Sequence, residues 1–157
     1  MADEHAQQIA NLRQSFFDQQ LLNEKFFRTE EIDIGLPGFL EDFYCTYFRE
    51  AERLVVTLKL ELHGPPFDVE SIELYLHEFR SNTKSAGAVK VLTQIGRCIE
   101  CSSALDFAGC LACLEEASTE MKYLKRQLKN YFRLIRQGPP TVIDDCPDFG
   151  DESSSEE

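Results

Sequence analysis

Hydrophobic residues recur along this chain every three to four positions, the period of a helix rather than the alternation of a strand. Ile9, Leu12 and Phe16 share a face and predict a first helix over 4–19. A shorter second helix is predicted over 23–31, with Asn23 as its N-cap. Leu40, Tyr44, Tyr47, Ala51, Leu54, Leu58 and Leu62 form the stripe of a third helix over 37–62, with Pro37 in its first turn. A fourth helix begins near Asp68, a capping residue, and turns Val69, Ile72, Leu76, Phe79 and Thr83 inward. A fifth covers 87–102, with Ala88, Val91, Ile95 and Cys98 inward. In a sixth, over 105–136, Cys110, Leu114, Ala117, Met121, Leu124, Leu128, Tyr131 and Ile135 alternate spacings of four and three, a heptad seam. At ~1.5 Å per residue that helix is roughly 45 Å long.

Glycine and proline fall at few points, chiefly Pro37-Gly38, the run 63–66 and the run 138–140. Long amphipathic helices with short connections predict an all-α fold of six helices. The last four form a core antiparallel four-helix bundle, and the first two cover one end or side. The folded domain is expected over 1–137. From 138 to 157 acids and serines offer nothing to bury, so an acidic, disordered tail is expected there.

Charge narrows the functional classes. The formal charge is −12, but residues 144–157 hold seven acids and no base. The rest has 21 acids against 16 bases, a net −5. A mildly acidic fold lacks the basic footprint of a nucleic-acid binder. The N-terminus has no signal-peptide pattern, and no run reaches the ~18 apolar residues of a membrane span. A soluble, intracellular protein is expected, with its six cysteines under no need to pair.

The fourth helix carries the candidate chemistry, in the stretch LHEFRSNTKSAGA. Opposite its apolar stripe lie Glu70, Glu73, His77, Arg80, Ser81 and Lys84. Residues three and four apart are neighbours on a helix. Glu73 is therefore one turn before His77, Arg80 and Ser81 one turn after it, and Lys84 two turns after. The imidazole projects into solvent from a rigid rod. A histidine on a polar face is commonly just solvated, and His5 and His63 lie near the terminus and in a loop, so no partner base is evident. No HExxH, GxSxG or phosphate-loop motif occurs. If His77 is chemical, another protein brings most of the machinery.

The run from Tyr75 to Ala88 resembles the signature of plant histidine-containing phosphotransfer proteins, H-Q-[LF]-K-G-S-S-x-S-[IV]-G-A. The likeness extends to SFFDQQLLNEKFF, to PGFLEDFYCTYFREAERL and to LKRQLKNYFRLIRQ after the cysteine-bearing segment, about residues 7–137 in all. The resemblance implies a six-helix fold and a relay of phosphoryl groups. His77 would take a phosphoryl group from the receiver domain of a hybrid sensor histidine kinase and pass it to response regulators. The chain would be a monomeric carrier rather than a stand-alone enzyme, with no cofactor of its own; Mg²⁺ would sit on the partner receiver. Cytokinin-type signalling in a plant, between cytoplasm and nucleus, is the implied setting, with neither nucleic acid nor membrane as partner. In the family, receiver contacts come from the second, third and fourth helices.

The departures cluster around the histidine. The family glutamine is Glu78, which places a carboxylate about 100° round the helix from His77, where it repels a phosphoryl group weakly. The family lysine is Arg80, which keeps the charge on a forked group. The family glycine is Ser81, whose hydroxyl stands where a receiver loop approaches. Lys84 stands at the variable position of the run, a cation able to grip a phosphoryl group or an acidic pocket. Some relatives lack the histidine and act as inhibitors; this chain retains it. A competitor that docks receivers but transfers poorly is the alternative within the family, and a helical adaptor with an incidental histidine is the alternative outside it.

Cys98 and Cys101, with Cys110 and Cys113, make CxxC…CxxC, a spacing that can hold zinc. Both pairs fall inside helical patterns with Cys98 and Cys110 on the apolar seams, so packing rather than a metal is expected. Most of the abundant phenylalanines of the first third should be core. Which of Leu22, Phe26 and Phe27 faces outward beside His77, as part of a docking patch, is left open by the pattern. In the tail, Ser153 and Ser154 each precede a glutamate by three residues, a pattern acid-directed kinases favour.

Overall fold

The computed structural model describes residues 2–136, so the expectations for the tail, its serines included, lie outside the described residues. Six helices follow in order: α1 Ala2–Asp18, α2 Glu24–Gly35, α3 Phe39–Glu61, α4 Val69–Ala86, α5 Val89–Ser103 and α6 Phe107–Arg136. α3 packs on α4, α4 on α5 and α5 on α6, and α6 closes the ring against α3. The bundle is antiparallel. Down the α3–α4 seam, Tyr44 lies beside Ala86, Tyr47 beside Thr83 and Arg53 beside Glu78. Across α3 and α6, Arg136 pairs with Glu41 and Lys125 with Glu52, again in opposite directions. Among the described residues the only extended pairing is a bridge between Leu22 and Ala88.

The seven stripe residues of α3 are all buried, as are Ile72, Leu76, Phe79 and Thr83 of α4 and Val91, Ile95 and Cys98 of α5. On α6 the seam is buried from Cys110 to Tyr131, but Ile135 is half exposed at the helix end. α1 and α2 cover the bundle through an aromatic cluster. Phe16 meets Tyr131 at 5.4 Å and Phe26 at 6.0 Å between ring centroids, and Phe26 meets Tyr44 at 6.0 Å. Arg13 grips Glu30 through Nη2 at 2.7 Å, and the Tyr131 hydroxyl donates to the same carboxylate at 3.3 Å.

Several boundaries differ from the sequence expectation, and three of them have a plain local cause. Pro37 is not in the first turn of α3. Leu36 O accepts from Phe39 N at 3.0 Å, and Gly38 has φ +93°, so Leu36–Phe39 is a turn with proline and glycine at its two central positions. Asp33 Oδ1 then accepts from the backbone N–H of Gly38 and Leu40, doing the capping Gly38 cannot do. α2 runs on to Gly35, four residues beyond its predicted end. Its last turn is stabilised by that junction rather than by an apolar stripe, since Ile32 and Ile34 are exposed. Finally, α5 starts at Val89, because Gly87 ends α4 with φ +70° and Ala88 is the N-cap of α5.

Gly87 is constrained twice. Its φ is left-handed, and a Cβ there would collide with the Asn23 side chain, which caps α2 by accepting from Lys25 N at 2.9 Å. Asn23 N also donates to Gly87 O at 3.1 Å. Gly87→Ala is therefore expected to cost about 1–2 kcal/mol from φ alone and more from the displaced cap, read as a lowered urea midpoint.

Candidate functional site on the outer face of α4

α4 is held along its whole length. Asp68 caps it, its Oδ1 accepting from Ser71 N, and Gly87 closes it. Ile72, Leu76, Phe79, Thr83 and Ala86 anchor its underside. The Tyr44 hydroxyl donates to Ala86 O at 2.8 Å, and the Tyr47 hydroxyl meets Thr83 Oγ1 at 2.9 Å. Burial pushes both phenols well above their usual range, so they stay neutral. These ties fix the rotation of α4 about its axis, and with it the direction of His77.

His77, Glu78, Arg80, Ser81 and Lys84 are all exposed, as predicted, and so is Glu73. Among the described residues, His77, Arg80, Ser81 and Lys84 make no side-chain hydrogen bond or ion pair. Arg80 and Lys84 form the α4 wall of a cleft of about 380 Å³, with Leu92, Gly96, Ile99 and Glu100 of α5 opposite. On the other side of α4, Asn82 and Ser85 face Phe39, Phe43, Tyr47 and Glu50 of α3 across a cleft of about 350 Å³. The imidazole thus stands on a ridge, with its cations on the α5 side.

Glu78 turns to the α3 side. Arg53 Nη2 lies 3.4 Å from Glu78 Oε2 and 2.9 Å from Glu50 Oε1. The sequence gives no hint of this contact, because it depends on the α3–α4 register that the buried tyrosines set. Leu74, one turn before His77, and Val56, which the same register places opposite it on α3, are exposed apolar residues that the pattern also left unassigned.

The second helix settles as follows. Leu22 and Phe26 are buried and Phe27 is 38% exposed. Phe27 stacks on Phe17 of α1 at 4.4 Å, with the Arg13 guanidinium 4.5 Å over its ring. Its exposed face belongs to the α1–α2 edge.

The four cysteines of the CxxC pairs face one another between α5 and α6. The neighbouring Cys110 and burial together lift the Cys98 thiol above the usual thiol range. Among the described residues no group of three or more His, Cys, Asp or Glu is placed to hold a metal ion. Among them, too, no helix is long and apolar enough to cross a membrane.

Comparison with known proteins fits this geometry. The chain is 30% identical over 116 residues to histidine-containing phosphotransfer protein 4 of Arabidopsis thaliana, covering 73% of this chain and 91% of that protein. The chain belongs to the plant histidine-containing phosphotransfer family. It is also 33% identical over 134 residues to pseudo histidine-containing phosphotransfer protein 6 of the same plant, covering 82% of this chain and 85% of that one. No family model matches. Among solved structures, a histidine-containing phosphotransfer protein from Medicago truncatula superposes with a TM-score of 0.80 at 24% identity, over 86% of this chain and 92% of that one. A maize counterpart gives 0.79 at 23%, over 85% and 98%. These two establish that the phosphotransfer fold is shared, helix bundle included.

Proposed function

We propose that this chain is a phosphorelay intermediate in which His77 accepts a phosphoryl group from the receiver domain of a hybrid sensor histidine kinase and hands it to response regulators. The observation that carries the reading is an exposed imidazole, without a protein partner among the described residues, on a helix held rigid along its underside in a chain of this family. An imidazole nitrogen attacks the phosphorus of the receiver's phosphoaspartate in line. The aspartyl O–P bond breaks, its electron pair returns to the carboxylate, and an N–P bond forms. The receiver supplies Mg²⁺ and an acidic pocket. Arg80 and Lys84 offer charge to the transferred group, and Ser81 borders the receiver's approach. The chain contributes a positioned nucleophile rather than a complete active site, so it acts as a monomeric carrier and not as a stand-alone enzyme, with no cofactor of its own. Cytokinin-type signalling, in cytoplasm and nucleus, is the setting we propose.

The test mixes the protein with a hybrid kinase's catalytic and receiver domains, Mg²⁺ and labelled ATP. Acid-labile, base-stable label on this chain is the expected result. A second reading, a competitor that docks receivers without accepting the group, draws on Glu78 and Ser81 beside the histidine and on the likeness to a protein named as a pseudo phosphotransfer protein. Receiver binding without label selects it. Neither binding nor label contradicts both and leaves a helical adaptor. Within the relay reading, replacing Arg80 and Lys84 together by Ala is expected to slow transfer about 10-fold or more, on the scale of charge stabilisation in phosphoryl transfer, in a rapid-quench time course.

A further inference from the structure

We infer that Arg53 of α3 is a positioning residue for phosphoryl acceptance: it holds the Glu78 carboxylate on the α3 side of the ridge and offsets its charge beside His77. This rests on His77 being the acceptor, as proposed above. Glu78 directly follows His77 and brings a carboxylate to the rim of the site. Glu73, one turn before His77, is a second acid, and Glu50 is a third on α3. An incoming phosphoryl donor is itself an anion. Arg80 and Lys84 lie on the α5 side of the ridge and leave the α3 side to Arg53.

The geometry suits the task. One guanidinium nitrogen reaches both Glu50, at 2.9 Å, and Glu78, at 3.4 Å. Glu50 lines the α3–α4 cleft, so Arg53 ties together two acids that border the site from that side. The pair is well exposed, so its worth to stability is small. Its effect falls on the local field met by an anion approaching His77. Removing Arg53 releases two carboxylates toward a site that must admit negative charge; removing Glu78 as well takes away the nearer one.

Phosphoramidate, a small anionic phosphoryl donor, tests this without a receiver. An imidazole nitrogen of His77 attacks phosphorus, the P–N bond of the reagent breaks, and ammonia leaves carrying the reagent's proton. Labelling is read by mass, with His77→Gln subtracting His5 and His63. Arg53→Met is expected to slow labelling about three- to five-fold at low salt, a shift of the size exposed charges exert, and less at high salt. Arg53→Lys should keep most of the rate. In a Glu78→Gln background Arg53→Met should cost clearly less than in the native background, the remainder coming from the lost cation and the released Glu50, the signature of coupled neighbours. An equal loss in both backgrounds, a folding defect included, or no loss in the native background, overturns the inference. Because no receiver is present, a failed relay and a flat mutant cycle are separate results.

Discussion

Replacing His77 by glutamine is expected to abolish phosphoryl acceptance and to leave helix content and the unfolding midpoint where they are in the native protein. The side chain is exposed, and among the described residues it makes no hydrogen bond or ion pair, so nothing in the core feels its loss. Exposed substitutions of this kind stay within about ±0.5 kcal/mol. Glutamine matches the polarity and reach of the ring, but its amide nitrogen has no free lone pair with which to attack phosphorus. Labelling should fall to the level of a protein lacking all three histidines. Circular dichroism on the same sample separates a chemical loss from an unfolded one. Label persisting in the variant would move the acceptor to His5 or His63.

Phe79→Ala has the largest expected effect on stability. The ring is fully buried beneath α4, two residues from His77, between the buried Leu76 and Thr83. Truncating a buried phenylalanine costs about 3–5 kcal/mol, which for a chain of this size lowers the thermal midpoint by on the order of 10 °C. The variant is also expected to transfer more slowly at temperatures where it remains folded, because the rotation of α4 that aims His77 depends on that contact. A midpoint within 2–3 °C of the native protein would mean that the underside of α4 is not what holds the ridge.

Most of the bundle was legible because helical period and burial coincide. The stripe of α3 and the seam of α6 down to Tyr131 are buried where the spacing put them. The exposure of His77 was legible for the converse reason, since a polar residue opposite an apolar stripe has one direction to point. What failed was local or long-range. Pro37-Gly38 suits a helix start as well as a turn, and only the φ of Gly38 decides between them. Lys125, on α6, is buried although charged, and Glu52 of α3 meets it at 3.5 Å. Arg53 escaped notice for the same cause. Its role depends on the offset between two helices, set by the hydroxyls of Tyr44 and Tyr47, and no spacing within one helix encodes that offset.

The most direct measurement of the central claim is transfer in both directions. A receiver phosphorylated on aspartate is mixed with this protein, and the label on each chain is followed by rapid quench; a response regulator is then added. The account predicts that label leaves the receiver, appears on His77 in acid-labile form, and drains to the regulator. Label that stays on the receiver while the two proteins bind would contradict it.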